Sequence, residues 1–326
     1  MFAFRHIVAC AVIAVSVAHS ARAQTTTAGA LNTQLAEAQR EVNEITQQRP
    51  FDYGKYSAAI ERSRALVYSL IAQDSLRTAA DFYVGSLLVG DPAGFYEYRR
   101  VEHELALMSL VLGHPDALKR VSLTWDGLNW SWGRGQRLGS YKRDGVATNM
   151  DPTPAPAAIV AVFTDIAAAR ARAGATKDHA ELEALRTADQ ADREPPMDQA
   201  KQQLMMKNDP ARRARVLDMV GTGALATGRD FHNAALVLQH GNTVDDFRLA
   251  HELSIAAVAL GDTAAVWLLS RTYDRLLLHM GHRQRLNTQY GGARMTLLPL
   301  DTTAVNDRIR RGLGSRALAD AQKPPV

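Results

Sequence analysis

"DFHNAALVLQHGNTVDDFRLAHEL", residues 230 to 253, decides the fold. Ala, Leu, Val and Phe recur through it at helical spacing, with a break at Gly241. Asp230 suits an N-cap and Gly241 a C′ position, so residues 230–240 predict a helix of about three turns. Residues 245–260 predict a second helix stopped at Gly261, and 263–280 a third stopped at Gly281. Three similar segments end near Gly90, Gly113 and Gly133. Residues 31–48, 56–73, 156–173, 180–192 and 211–220 also read as helical, and strand patterns are scarce. Two short hairpins are expected, over 140–148 turning at Asp144-Gly145 and over 288–298 turning at Gly291-Gly292. The fold class is therefore mostly α, built of helical hairpins with a small β-hairpin in each half. The same stretch raises a second question: it carries His232, His240 and His251 among apolar residues.

The chain repeats itself. Residues 100–138 align with 248–286 without a gap, at an offset of 251 − 103 = 148. His103-Glu104-Leu105 lies over His251-Glu252-Leu253, Leu112-Gly113 over Leu260-Gly261, and Gln136-Arg137-Leu138 over Gln284-Arg285-Leu286. Thr124 and Asp126 lie over Thr272 and Asp274. Fifteen of these 39 positions are identical, where chance gives about three, so a duplication is expected. The domains then run 24–174, a degenerate first copy, and 175–326, a second copy with the candidate site. Pro152, Pro154 and Pro156 mark the junction. His240, Arg275 and Gln289 have no like residue in the first copy.

Residues 1–23 read as a signal peptide. Arg5 precedes an apolar run from Ile7 to Ala18, and Ala21-Arg22-Ala23 is a cleavage signal. A mature start at Gln24 and a periplasmic or secreted location are expected, with no integral membrane segment after cleavage. The sole cysteine, Cys10, lies in this leader, so the mature chain has no disulfide, thiol nucleophile or thiolate metal site. Loss of Arg5 and Arg22 lowers the formal net charge from +4 to 4 − 2 = +2. The arginines at 212, 213 and 215, and at 308, 310 and 311, read as solvated faces. No basic stripe with interleaved aromatics points to nucleic acid.

The polar residues each carry a structural and a functional reading. On the 245–260 helix Arg248 and Glu252 share the polar face, while Phe247, His251, Ser254 and Val258 lie opposite. His251 is expected inside, as a core histidine with a partner or as part of a site. His232 and His240 stand about 12 Å and 80° apart on one helix, so they cannot share a metal there. No cofactor or metal is expected. His240 sits in a last turn, where the macrodipole favours an imidazolium. Asp274 on an apolar face needs a partner, with Arg271 and His251 as candidates. No G-x-S-x-G or phosphate-loop pattern occurs.

Two resemblances add to this. The turn at Leu260-Gly261-Asp262, with alanines following, resembles a tetratricopeptide-type hairpin. Residues 182–318 resemble an uncharacterised bacterial domain family with the pattern D-Q-x-x-R, Q-H, D-R, Q-x-x-G-T-Q. Here it reads Asp189-Gln190-Ala191-Asp192-Arg193, Gln239-His240, Asp274-Arg275 and Gln284-Arg285-Leu286-Asn287-Thr288-Gln289. Asn287 replaces the family's glycine. The resemblance implies a shared polar constellation and no named chemistry.

The expected ligand-binding set is His240, His251, Asp274, Arg275, Gln284, Thr288 and Gln289. Three functions remain open. One is an exported helical module binding a small polar ligand or a peptide. The second is a metal-independent hydrolase, with His240 or His232 as base and Asp274 as orienter. The third is a helical scaffold for an envelope protein partner.

Overall fold

The computed structural model describes residues 29–90, 94–195, 198–292 and 295–323. The expected leader and its cleavage site lie outside these. The described chain is mostly α-helical, with two short antiparallel hairpins.

In chain order the helices begin with α1 (Thr33–Gln47), α2 (Tyr53–Ala72), α3 (Ala79–Val89), α4 (Tyr96–Val111) and α5 (Ala117–Ser131). Strands β1 (Lys142–Arg143) and β2 (Val146–Ala147) follow, then α6 (Ala157–Thr164), α7 (Ile166–Gly174), α8 (Ala180–Ala191) and α9 (Gln199–Gly221). The chain continues with α10 (Gly228–Leu238), α11 (Val244–Ala259), α12 (Val266–His279), β3 (Tyr290–Gly291) and β4 (Thr296–Leu297). It closes with α13 (Asp307–Gly312) and α14 (Leu318–Ala321).

Two compact units form. Of the described residues, the first comprises 29–166 with Thr302–Leu313. The second comprises Ala167–Asp301 with 314–323. The first unit thus takes back a late segment. Asn306 caps α13 by accepting from Ile309 N at 3.0 Å, and its Nδ2 donates to Ile71 O at 2.7 Å.

In the second unit α10 packs on α8, α9 and α11, and α11 packs on α12. Helix α11 is the core: thirteen of its sixteen residues are buried. Leu253, Ile255 and Phe247 each contribute about 1.5–3 kcal/mol by leaving water. Its expected polar face is corrected here. Arg248 and Glu252 are both fully buried, on a helix packed between α10 and α12.

Several ends also differ from expectation. Thr227, not Asp230, caps α10; Asp230 stands at N3 and completes a capping box. Gly241 keeps a negative φ and is small because the Asp246 carboxyl presses on it, 2.6 Å from where a Cβ would sit. Helix α9 runs straight through Pro210, and residues 156–173 break into α6 and α7 at Asp165. The first hairpin turns at Asp144-Gly145, both with positive φ, as its type I′ turn requires.

Candidate functional site

The end of α8 begins the site. Asp189 and Arg193 stand one turn apart, and Arg193 Nη1 meets Asp189 Oδ1 at 2.9 Å. Arg193 also forks onto Asp209 of α9 at 2.5 and 3.2 Å. Gln190 Nε2 donates to Asp189 Oδ2 at 2.8 Å. The turn after α10 then brings His240 Nδ1 to the same carboxylate, at 3.0 and 3.2 Å from its two oxygens. The His240 side chain is only 4% exposed and that of Asp189 only 1%. His240 therefore belongs inside, which corrects the reading of a solvated imidazolium at a helix end.

Burial pushes the His240 pKa down, and the Arg193 and Arg275 charges push the same way against Asp189. Burial opposes ionisation of Asp189, but His240, Arg193 and Gln190 outweigh it and hold its pKa below the usual range. The pair is a neutral imidazole on an ionised carboxylate. The carboxylate accepts from Nδ1, so the Nδ1 proton is fixed and Nε2 offers a lone pair. His240 Nε2 is closed off from solvent and has no hydrogen-bond partner among the described residues.

The other motif residues continue from Gln239. Arg275 Nη1 donates to Gln239 O, and Arg275 Nε donates to Gln289 Oε1 at 3.3 Å. Gln289 Nε2 donates to Thr288 Oγ1 at 3.1 Å, and Thr288 Oγ1 to Asp274 Oδ2 at 2.9 Å. Gln284 stitches the loop: its Nε2 donates to Gln289 O and Leu298 O, and its Oε1 accepts from Gln289 N. The structure thus links the four motif segments by two hydrogen-bonded strings that meet at Gln239-His240.

Asp274 is not the partner of His240, Arg271 or His251. Its oxygens accept from the amides of Arg285 at 2.7 Å, Leu286 at 2.9 Å and Thr288 at 3.0 Å. Burial pushes its pKa up to about 6, and these amides limit the rise, so it is an anion at neutral pH. Its role is to shape the 284–289 loop. Asn287, at φ 52°, takes the left-handed turn that glycine would favour. His251 is fully buried, bonds Thr272 Oγ1 through Nδ1 at 3.0 Å and stacks on Tyr273. Burial drives its pKa down to about 3. His232 pairs with Asp262 at 3.0 Å and meets Trp267 edge-on; it stands outside both strings.

The shared residues do similar work in the first unit. His103 Nδ1 meets Thr124 Oγ1 at 3.0 Å. Asp126 accepts from the amides of Arg137, Leu138 and Ser140, and Gln136 bonds Tyr141 and Thr148. Where Arg275 stands in the second unit, the first has Gly127, and Tyr141 Oη and Arg99 Nη1 lie 3.0 and 3.3 Å from its missing Cβ. There Glu102, buried, binds Arg99 at 2.9 Å and Arg120 at 2.7 Å. The sequence reading missed this ion cluster, because nothing in spacing tells a buried Glu102 from a solvated one.

The expected solvated basic faces hold at Arg215 and Arg311, which are exposed, and are corrected at two other positions. Arg212 binds Asp192 at 2.5 Å and is 11% exposed, and Arg310 is buried on α13. No group of three or more metal-ligating side chains occurs among the described residues. A wide hollow of about 610 Å³ at residues 48–55 contains none of the motif residues. No family model, curated protein or solved structure matches the chain.

Proposed function

We propose that the chain is an exported helical binding module, and that its second unit binds a small polar ligand or a peptide end around His240. One observation carries this: the buried, unpartnered Nε2 of an imidazole whose other nitrogen is fixed by Asp189. An unpaired buried acceptor costs about 1–3 kcal/mol. A hydroxyl or amine donor on a ligand, admitted by a local opening because Nε2 is closed off from solvent, removes that cost. The Arg193–Asp189–His240 string preorganises the acceptor, so little ordering accompanies binding. A panel of small polyols, amino acids and dipeptides in thermal melts tests it. At least one class should raise the melting temperature of the wild-type protein and leave His240→Gln unmoved. No response, or an equal response in the variant, rejects the reading.

The same carboxylate–imidazole pair favours a second reading, acid–base hydrolysis, in which Nε2 takes a proton from water. No Ser or Thr hydroxyl bonds Nε2 among the described residues, so water would be the nucleophile. Turnover of a chromogenic ester or amide that is lost in His240→Gln would select it.

We also infer that the halves arose by duplication. The single offset of 148 supports it, as do the like hydrogen bonds around Asp126 and Asp274. In this view the helical frame is common to both halves and His240, Arg275 and Gln289 are additions for binding. Export rests on the leader-like first 23 residues. Mass spectrometry of the secreted or periplasmic fraction should find an N-terminus at or near Gln24, and a chain retaining Met1 there would reject it.

A further inference from the structure

Arg271 lies one helical turn before Arg275 on α12. Its Nη1 donates to two carbonyls, Trp267 O at 3.2 Å and, weakly, Gly314 O at 3.5 Å. Its Cζ sits 4.6 Å from the centre of the Trp267 ring. Among the described residues no carboxylate lies within ion-pair distance of it. Asp274, three residues on, has both oxygens taken by the 285–288 loop. The Nε and Nη2 atoms of Arg271 donate to nothing in the described protein, yet neither is closed off from solvent. That Nε–Nη2 edge is the face with which a guanidinium grips a carboxylate or phosphate through two parallel bonds.

The surroundings are cationic. Arg275 is close enough to oppose the Arg271 charge, and burial opposes it more, so its pKa is pushed down to about 10. It remains a cation at neutral pH. Tyr290 feels both Arg271 and Arg316, and Arg316, exposed, donates only to the carbonyls of Asp320 and Lys323. The two neighbouring guanidiniums repel each other, and Asp274, the acid whose charge favours Arg271, has both oxygens taken by the loop, so an added anion at Arg271 is favourable. At the offset of 148 the first half has Leu123 for Arg271 and Gly127 for Arg275. The pair is therefore a feature of the second unit alone.

We propose that Arg271, backed by the Trp267 ring and flanked by Arg275, binds a small oxyanion, a carboxylate or phosphate group, through its open Nε–Nη2 edge. The site goes beyond the His240 reading and survives its failure, since the Arg271 side chain belongs to neither hydrogen-bonded string; only its backbone carbonyl accepts from Gln289 Nε2, at 3.4 Å. Bound there, an acidic group would approach the strip formed by Arg275 and Gln289.

The test is titration of the full chain with inorganic phosphate and, separately, acetate, at ionic strength held constant with chloride. Thermal melting and calorimetry are the readouts. Phosphate or acetate should raise the melting temperature of the wild-type protein beyond chloride, and whichever acts more strongly names the group. Arg271→Gln should weaken the apparent affinity at least about tenfold. Arg271→Lys, which keeps the charge without the fork, should fall between. Arg311→Gln removes the same charge from an exposed place in the first unit and should respond like wild type. An oxyanion effect no larger than that of chloride overturns the proposal, as does a wild-type response in Arg271→Gln. If Arg271→Gln does not fold, the Arg271 Nε–H resonance of the wild-type protein decides: it should shift on phosphate addition, and a fixed resonance overturns the site.

Discussion

Asp189 holds His240 across fifty-one positions of sequence, with Nδ1 3.0 Å from Oδ2. The same carboxylate binds Arg193, so one buried anion orders a cation and an imidazole together.

Replacing that anion by an amide leaves Arg193, 4% exposed, with Asp209 as its one acidic partner, and a single neutral amide oxygen to accept from either Arg193 or His240 Nδ1. Asp189→Asn should cost about 3 kcal/mol or more, because it strips the partner from a buried charge. Urea unfolding at neutral pH measures this. A loss below about 1 kcal/mol would mean the pair is a surface-like contact.

His251 predicts an acid sensitivity. It stays neutral in the folded protein down to about pH 3, whereas its ordinary value is 6.5. Between those limits the unfolded chain holds the extra proton, so stability rises with pH. Asp274, raised from 3.8 to about 6, acts in the opposite sense between those values. Comparison with His251→Gln cancels the Asp274 share. The stability advantage of wild type over the variant should shrink by about 1.4 kcal/mol per pH unit as the pH falls below 6.5. A constant advantage from pH 7 to 5 would show that His251 titrates normally.

The late segment clasping the first unit separates a cap from an ion pair. Asn306 both caps α13 and bonds Ile71 O; Arg308 pairs with Asp74 at 2.8 Å with both side chains substantially exposed. Asn306→Ala should cost about 1–2 kcal/mol, and Arg308→Ala under about 1. Thermal melts with limited proteolysis at residues 302–313 check the order, and the reverse order would contradict it.

The helices were readable because their apolar periodicity survives into the packed structure: α8, α11 and α12 fall within a few residues of their expected spans. Turn chemistry was readable at Asp144-Gly145 for a similarly local reason. Partners were not. His240 could have met Asp274, Asp189 or water, and only the packing of α8 against α10 chooses Asp189. Periodicity also cannot tell a polar face in water from one buried among other helices, which is why Arg248 and Glu252 were misplaced. The motif residues could be named from sequence, whereas Asp274 as a loop former and Asp189 as the orienter emerge only from distances.

The most direct test of a binding site at His240 is a crystal structure of the native protein at a resolution that shows ordered water and small ligands. The expected result is a polar atom outside the polypeptide, a ligand group or water, at about 2.7–3.2 Å from His240 Nε2, with Nδ1 still on Asp189. An Nε2 packed only against carbon atoms of the protein would contradict it.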